Sequence, residues 1–73
     1  MKNKLLVLQT DFGLADGAVS AMQGVAYSVA PEVTISHLTH EIEPYNIYDA
    51  SYRLLQTIDY WPAGTVFVSV VDP

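Results

Sequence analysis

Four residues carry most of the chemistry that this 73-residue sequence can offer: Asp11, Asp16, Tyr45 and Asp72. Asp11 follows the run Leu5-Leu6-Val7-Leu8-Gln9-Thr10. A carboxylate at a strand tip can accept two hydrogen bonds, and the vicinal hydroxyls of a ribose offer two donors at matching spacing. The same carboxylate can instead cap the loop or helix that follows. Gly13 and Gly17 let the backbone turn tightly and come close to a ligand. Asp16 stands just before a helical pattern. There it either favours the helix dipole or meets an ammonium or sulfonium group. Tyr45, after Pro44, can lay its ring against a sugar or a base, or pack on the helix that follows. Asp72 ends the apolar run Val66-Phe67-Val68-Ser69-Val70-Val71. A carboxylate there is desolvated on one side and costly without a partner. Arg53 and an arginine beyond Pro73 are equal candidates for that partner, and an Asp-Pro turn start is the structural alternative.

Other residues read as structural. His40 is expected to be a hydrogen-bonded structural histidine, and Glu41 and Glu43 to be solvated. Trp61 reads as a core or turn residue at the far end of the sheet. Asp11-Phe12-Gly13 shares three letters with the magnesium motif of protein kinases. It lies too near the N-terminus to leave room for the upstream glycine loop and lysine. There is no GxGxxG and no Walker loop, so ordinary dinucleotide or triphosphate binding has no support.

Composition removes further classes. The absence of cysteine excludes disulfides and thiolate zinc sites. Two histidines, His37 and His40, are too few for a metal site without carboxylate help, and none is expected. The net charge is −5, with Lys2, Lys4 and Arg53 the only basic residues, so a nucleic-acid partner is not expected. Two lysines and four apolar residues at the start are too short for a signal peptide or a membrane span. The sequence reads as a cytoplasmic protein.

These residues are positioned by an alternation of strands and helices. The run Leu5 to Gln9 predicts a buried parallel strand closed by Thr-Asp-Phe-Gly. Val19, Met22, Ala26 and Val29 recur at helical spacing over Val19 to Ala30, and Pro31 stops that helix. Val33 to Leu38 reads as a second strand. Asn46 is a plausible N-cap for a second helix with Ile47, Ala50, Leu54 and Ile58 on one face and Tyr48 and Tyr52 beside them. Pro62-Ala63-Gly64 is a turn. Thr65 to Val71, nearly all β-branched or aromatic, is the strongest strand signal and hydrophobic enough to be central. The fold class is therefore α/β, a parallel β-α-β-α-β sheet with right-handed crossovers. Two helices cannot cover both faces of a full sheet, and the third strand has no helix after it. The expectation is an incomplete layer fold, part of a longer protein. Ligands of open parallel sheets bind at the C-terminal strand ends. Three loops leave those ends: Thr10 to Gly17, Thr39 to Tyr45, and the segment beginning Asp72-Pro73.

At these loops the chain resembles the S-adenosyl-L-methionine hydroxide adenosyltransferase family, relatives of the adenosyl fluorinase and chlorinase. The resemblance rests on Thr10-Asp11-Phe12-Gly13 with Asp16, Met22-Gln23-Gly24, Pro31-Glu32-Val33, and Thr39-His40-Glu41-Ile42 with Pro44. It continues in Pro62-Ala63-Gly64-Thr65-Val66-Phe67 and Val70-Val71-Asp72-Pro73. Order and spacing together carry it, over the whole chain.

The resemblance implies hydrolysis of S-adenosyl-L-methionine to adenosine and methionine, with water attacking the ribose 5′ carbon. S-adenosyl-L-methionine is then the substrate, and no cofactor is implied. Asp72 matches the Asp of an Asp, Arg and His set around that water; the other two are expected after Pro73, and neither Arg53 nor His40 lies at their positions. The halogenases have a Tyr where Asp72 stands, so Asp72 argues for water over halide. Asp11 matches the carboxylate that holds the ribose hydroxyls, Asp16 an acidic residue near the methionine end, and Tyr45 an aromatic residue beside the ribose. Ala18 departs from the fluorinase pattern, which has serine there. The family also implies a second, β-rich domain and a homotrimer with ligand between subunits, so residues 1–73 would be the first part of the substrate-binding α/β domain.

Overall fold

The computed structural model describes residues 4–71. The elements run β1 (Leu5–Thr10), α1 (Ala18–Val29), β2 (Thr34–Thr39), α2 (Ile47–Thr57), a 3-10 turn (Ile58–Tyr60) and β3 (Val66–Val70). All five expected elements are present, with ends shifted by about a residue, as helix and strand ends commonly are. No helix among the described residues is long and apolar enough to cross a membrane.

The sheet order is β2-β1-β3, and both pairings are parallel. This corrects one expectation: β1 is central, while β3 is an edge of the described sheet. Hydrophobicity does not decide strand order. Only β1 has a strand on each side, and Val7, Leu8, Gln9 and Thr10 are all buried. Val66, Val68 and Val70 of β3 are exposed. Burying Val7 and Leu8 stabilises the sheet by roughly 1.5–3 kcal/mol each.

The chain steps from β1 to β2 in one direction and then passes back across β1 to β3. Right-handed crossovers in opposite directions put the two helices on opposite faces of the sheet. Gln9 marks the α2 face. Its Nε2 donates to the Ala50 carbonyl at 3.1 Å, and its Oε1 accepts from Ser69 Oγ at 2.6 Å. One fully buried amide thus joins the central strand to α2 and to β3. A polar side chain survives there because both ends of it are paired.

The helices begin as the sequence suggests and bury less than it suggests. Asn46 Oδ1 accepts the Asp49 N–H at 2.9 Å and caps α2. On α1, Val19 is buried and Met22 and Ala26 are half-buried, but Val29 is 82% exposed. On α2, Ala50 is buried and Leu54 half-buried, whereas Ile47, Tyr48, Tyr52 and Ile58 are exposed. A sheet of three strands is too narrow to cover both ends of a helix. Trp61 lies before β3, and its ring meets Phe67 edge-on at 6.4 Å, away from the strand tips as expected.

Candidate active site

The C-terminal ends of the three strands gather the first two loops. Asp11 leaves β1 half-buried, and its N–H donates to the Val70 carbonyl of β3 at 3.3 Å. The next two N–H groups are also committed. Phe12 donates to Thr10 Oγ1 at 3.1 Å, and Gly13 donates to the His40 carbonyl at 2.7 Å. Gly13 has φ of 70°, a left-handed conformation natural to glycine. The loop after β1 is therefore tied to both neighbouring strands.

The strand order gives this position meaning. In an open α/β sheet the ligand crevice lies where the chain reverses direction across the sheet, between strands whose connections leave on opposite faces. Here the β1-to-β2 and β2-to-β3 connections run in opposite directions, which makes the gap between β1 and β3 the candidate crevice. Asp11 stands at it, directly beside the end of β3. The described residues stop at Val71, so Asp72 lies outside them.

Asp16 and Tyr45 lie on the first and second of these loops. Asp16 is exposed at the start of α1, where its Oδ1 accepts the Ala18 N–H at 3.0 Å and orders the helix entry. Tyr45 ends the loop after β2 and is 67% exposed, so it is not a core residue of α2 in this structure. Its φ is 67°, a conformation that costs a bulky residue of order 1–3 kcal/mol and that concentrates at functional sites. Arg53 pairs within its own helix, Nε to Asp49 Oδ1 at 3.3 Å.

His40 is the hydrogen-bonded structural histidine that the sequence suggests; what sequence reasoning missed is its partners, Thr10 and His37. His40 is buried, with its Nδ1 2.7 Å from Thr10 Oγ1 and its Nε2 2.7 Å from His37 Nδ1. The two imidazoles meet edge-on with centroids 4.8 Å apart. In a regular strand, residues three apart point to opposite faces. The register slips here: Leu8 pairs with His37 and Gln9 with Thr39, passing over Leu38. That irregularity brings His37 and His40 to one side. Burial pushes the His40 ring below its ordinary value of 6.5; the neighbouring His37 charge acts in the same direction and Glu41 opposes it. Among the described residues no group of three or more His, Asp and Glu side chains could hold a metal ion.

An open apolar cavity lies elsewhere. It measures about 430 Å³ and is lined by Leu5, Leu6, Ala30, Val33 and Val66, with Lys4 and Glu32 at its rim. These residues lie at the N-terminal ends of the strands, opposite the loops that carry the carboxylates.

The described fold is a parallel α/β unit, and the β1/β3 gap is its candidate ligand edge. Residues 6–73 match the family model described as the S-adenosyl-L-methionine hydroxide adenosyltransferase N-terminal domain. The chain belongs to that family. It is 40% identical to the (R)-S-adenosyl-L-methionine hydrolase of Methanocaldococcus jannaschii, covering 94% of this chain and 27% of that protein. It is 26% identical to the fluorinase of Nocardia brasiliensis, covering 99% of this chain and 24% of that one. An uncharacterized conserved protein from Thermotoga maritima has a crystal structure that superposes with a TM-score of 0.86 at 37% identity, over 93% of this chain and 26% of that one. The chain spans about a quarter of the length of the curated relatives it matches.

Proposed function

We propose that the protein carrying this chain hydrolyses S-adenosyl-L-methionine to adenosine and L-methionine. The observation that carries the reading is the 40% identity to a hydrolase, against 26% to a fluorinase, over nearly the whole chain. Asp72 in place of the halogenases' Tyr points the same way.

In this reading Asp11 accepts hydrogen bonds from the two ribose hydroxyls at the switch point. Asp16 offers its exposed carboxylate to the methionine end, and Tyr45 lays its ring beside the ribose. A water held by Asp72, with an Arg and a His from beyond Pro73, attacks the 5′ carbon. The new C–O bond forms as the C–S bond breaks, and the water's proton is released. Methionine departs as a neutral thioether, so the leaving group needs little help, and the site's work is to hold and activate the nucleophile. No cofactor enters the scheme. The exposed Val25, Val29, Tyr48, Leu55 and Tyr60 support a larger assembly, with a further β-rich domain and a homotrimer that completes each site. The reading includes a cytoplasmic protein, with Leu5 to Leu8 serving as the central strand.

The test is to incubate the intact protein with S-adenosyl-L-methionine and to measure adenosine and methionine. No adenosine above the enzyme-free control refutes the proposal. Halide-dependent 5′-halo-adenosine in the same assay would replace it with a halogenase. Asp72→Ala is expected to remove turnover while leaving binding; a near-normal rate would take Asp72 out of the mechanism.

A further inference from the structure

His40 makes two hydrogen bonds to the loop after β1, one through its carbonyl and one through its ring. Its carbonyl accepts the Gly13 N–H at 2.7 Å. Its Nδ1 lies 2.7 Å from Thr10 Oγ1, the same oxygen that accepts the Phe12 N–H at 3.1 Å. The residue between these anchors is Asp11. Thr10 is fully buried and His40 is 5% exposed, so water does not compete for these bonds. The second ring nitrogen is held by His37, which removes rotation of the ring about its own axis. The product of this network is a fixed backbone on both sides of one carboxylate.

We propose that His40 is a positioning residue for Asp11. It holds residues 10–13 so that the Asp11 carboxylate is presented at the β1/β3 crevice, without itself touching substrate. This rests on the reading of Asp11 as the ribose-binding carboxylate. A group that binds the ribose equally in the ground and transition states lowers KM and leaves kcat nearly alone. Misplacing Asp11 therefore raises KM. A purely structural histidine would instead lower the folded fraction, and with it the apparent kcat, while KM stayed fixed.

The ring geometry supplies matched variants. An asparagine at position 40 places its amide near the old Nδ1 and can still reach Thr10 Oγ1. A glutamine places its amide near the old Nε2, keeping the His37 contact and losing Thr10. In the intact protein, His40→Gln is expected to raise KM for S-adenosyl-L-methionine ~10-fold with kcat within ~2-fold, the loss of one buried hydrogen bond. His40→Asn is expected to stay within ~3-fold of wild type on the same scale. Thr10→Val, which keeps shape and removes the hydroxyl, also takes away the acceptor of the Phe12 N–H, so it should raise KM at least as much as His40→Gln; the double variant should be no worse than Thr10→Val alone, because the His40 bond is already gone there. Unchanged KM in His40→Gln and Thr10→Val overturns the proposal, as does a fall in kcat with KM unmoved. Should His40→Gln fail to fold, Thr10→Val decides. Wild-type protein that neither cleaves nor binds S-adenosyl-L-methionine overturns the functional reading and this inference together. A wild type that turns over, with KM unmoved in the variants, overturns this inference alone.

Discussion

The two ends of the sheet differ in what they spend their polar groups on. At the N-terminal end an apolar cavity is rimmed by one ion pair, Lys4 Nζ to Glu32 Oε1 at 3.2 Å, with both side chains about half exposed. The Glu32 carboxyl is held below the usual range by a backbone hydrogen bond and by Lys4, but it is solvated and its pairing is screened. At the C-terminal end, buried Thr10 and His40 tie down a loop whose carboxylate stands at the switch point. The apolar cavity is at the first end and the candidate site at the second. Size of a cleft is a weaker guide than the convergence of fixed polar groups, because catalysis needs groups held in place before substrate arrives.

The strongest way to break this contrast is Asp11→Ala in the intact protein. Two charge-assisted hydrogen bonds are lost, so kcat/KM for S-adenosyl-L-methionine should fall ~100-fold or more. Steady-state kinetics would check it, and a loss under threefold would move the ribose site elsewhere. Between the two ends, Leu8→Ala should act on stability. Its side chain is 1% exposed in the central strand, and the truncation should cost about 2–5 kcal/mol in denaturant unfolding. A cost below that of an exposed β3 residue such as Val66 would deny β1 its central place.

Acidification should separate the ends less strongly. His40 has its folded-state value lowered, so the unfolded chain binds the proton more readily. Stability from this residue is complete above about pH 6.5 and is lost as pH falls from there through the lower folded value. The groups facing the ring are Thr10 from β1, His37 from β2 and Glu41 beside it. Thermal unfolding across pH 7 to 5 should show a falling midpoint that His40→Asn flattens; an equal slope in that variant would assign the effect to other groups. The smallest effect is expected from Glu32→Gln. It removes one solvated ion pair at the far end and should leave kcat/KM unchanged; a marked loss would give the N-terminal end a functional role.

Much of this was legible before the fold was seen. Apolar runs of five or six residues ending in polar tips marked the strands, and Asn46 and Pro31 marked helix limits, since capping and proline sterics act locally. Asp11 could be placed at a strand end because a carboxylate does not sit inside a buried apolar run. The exposure of Val29, Ile47 and Ile58 was not legible. Helical spacing says which residues share a face, and the width of the sheet says how much of that face is covered.

The sequence by itself determined the element order, the two described loops that leave the C-terminal ends of β1 and β2, and the acidic residues on them. Tertiary structure decided which strand is central, and so put Asp11 at the switch point beside β3. It also decided the partners of His40. Read along the chain, His37 and His40 fall on opposite sides of a regular strand. One skipped pairing at Leu38 reverses that, and a long-range contact to Thr10 completes the network. Pairing register is a property of two strands together, and neither strand's residues contain it alone.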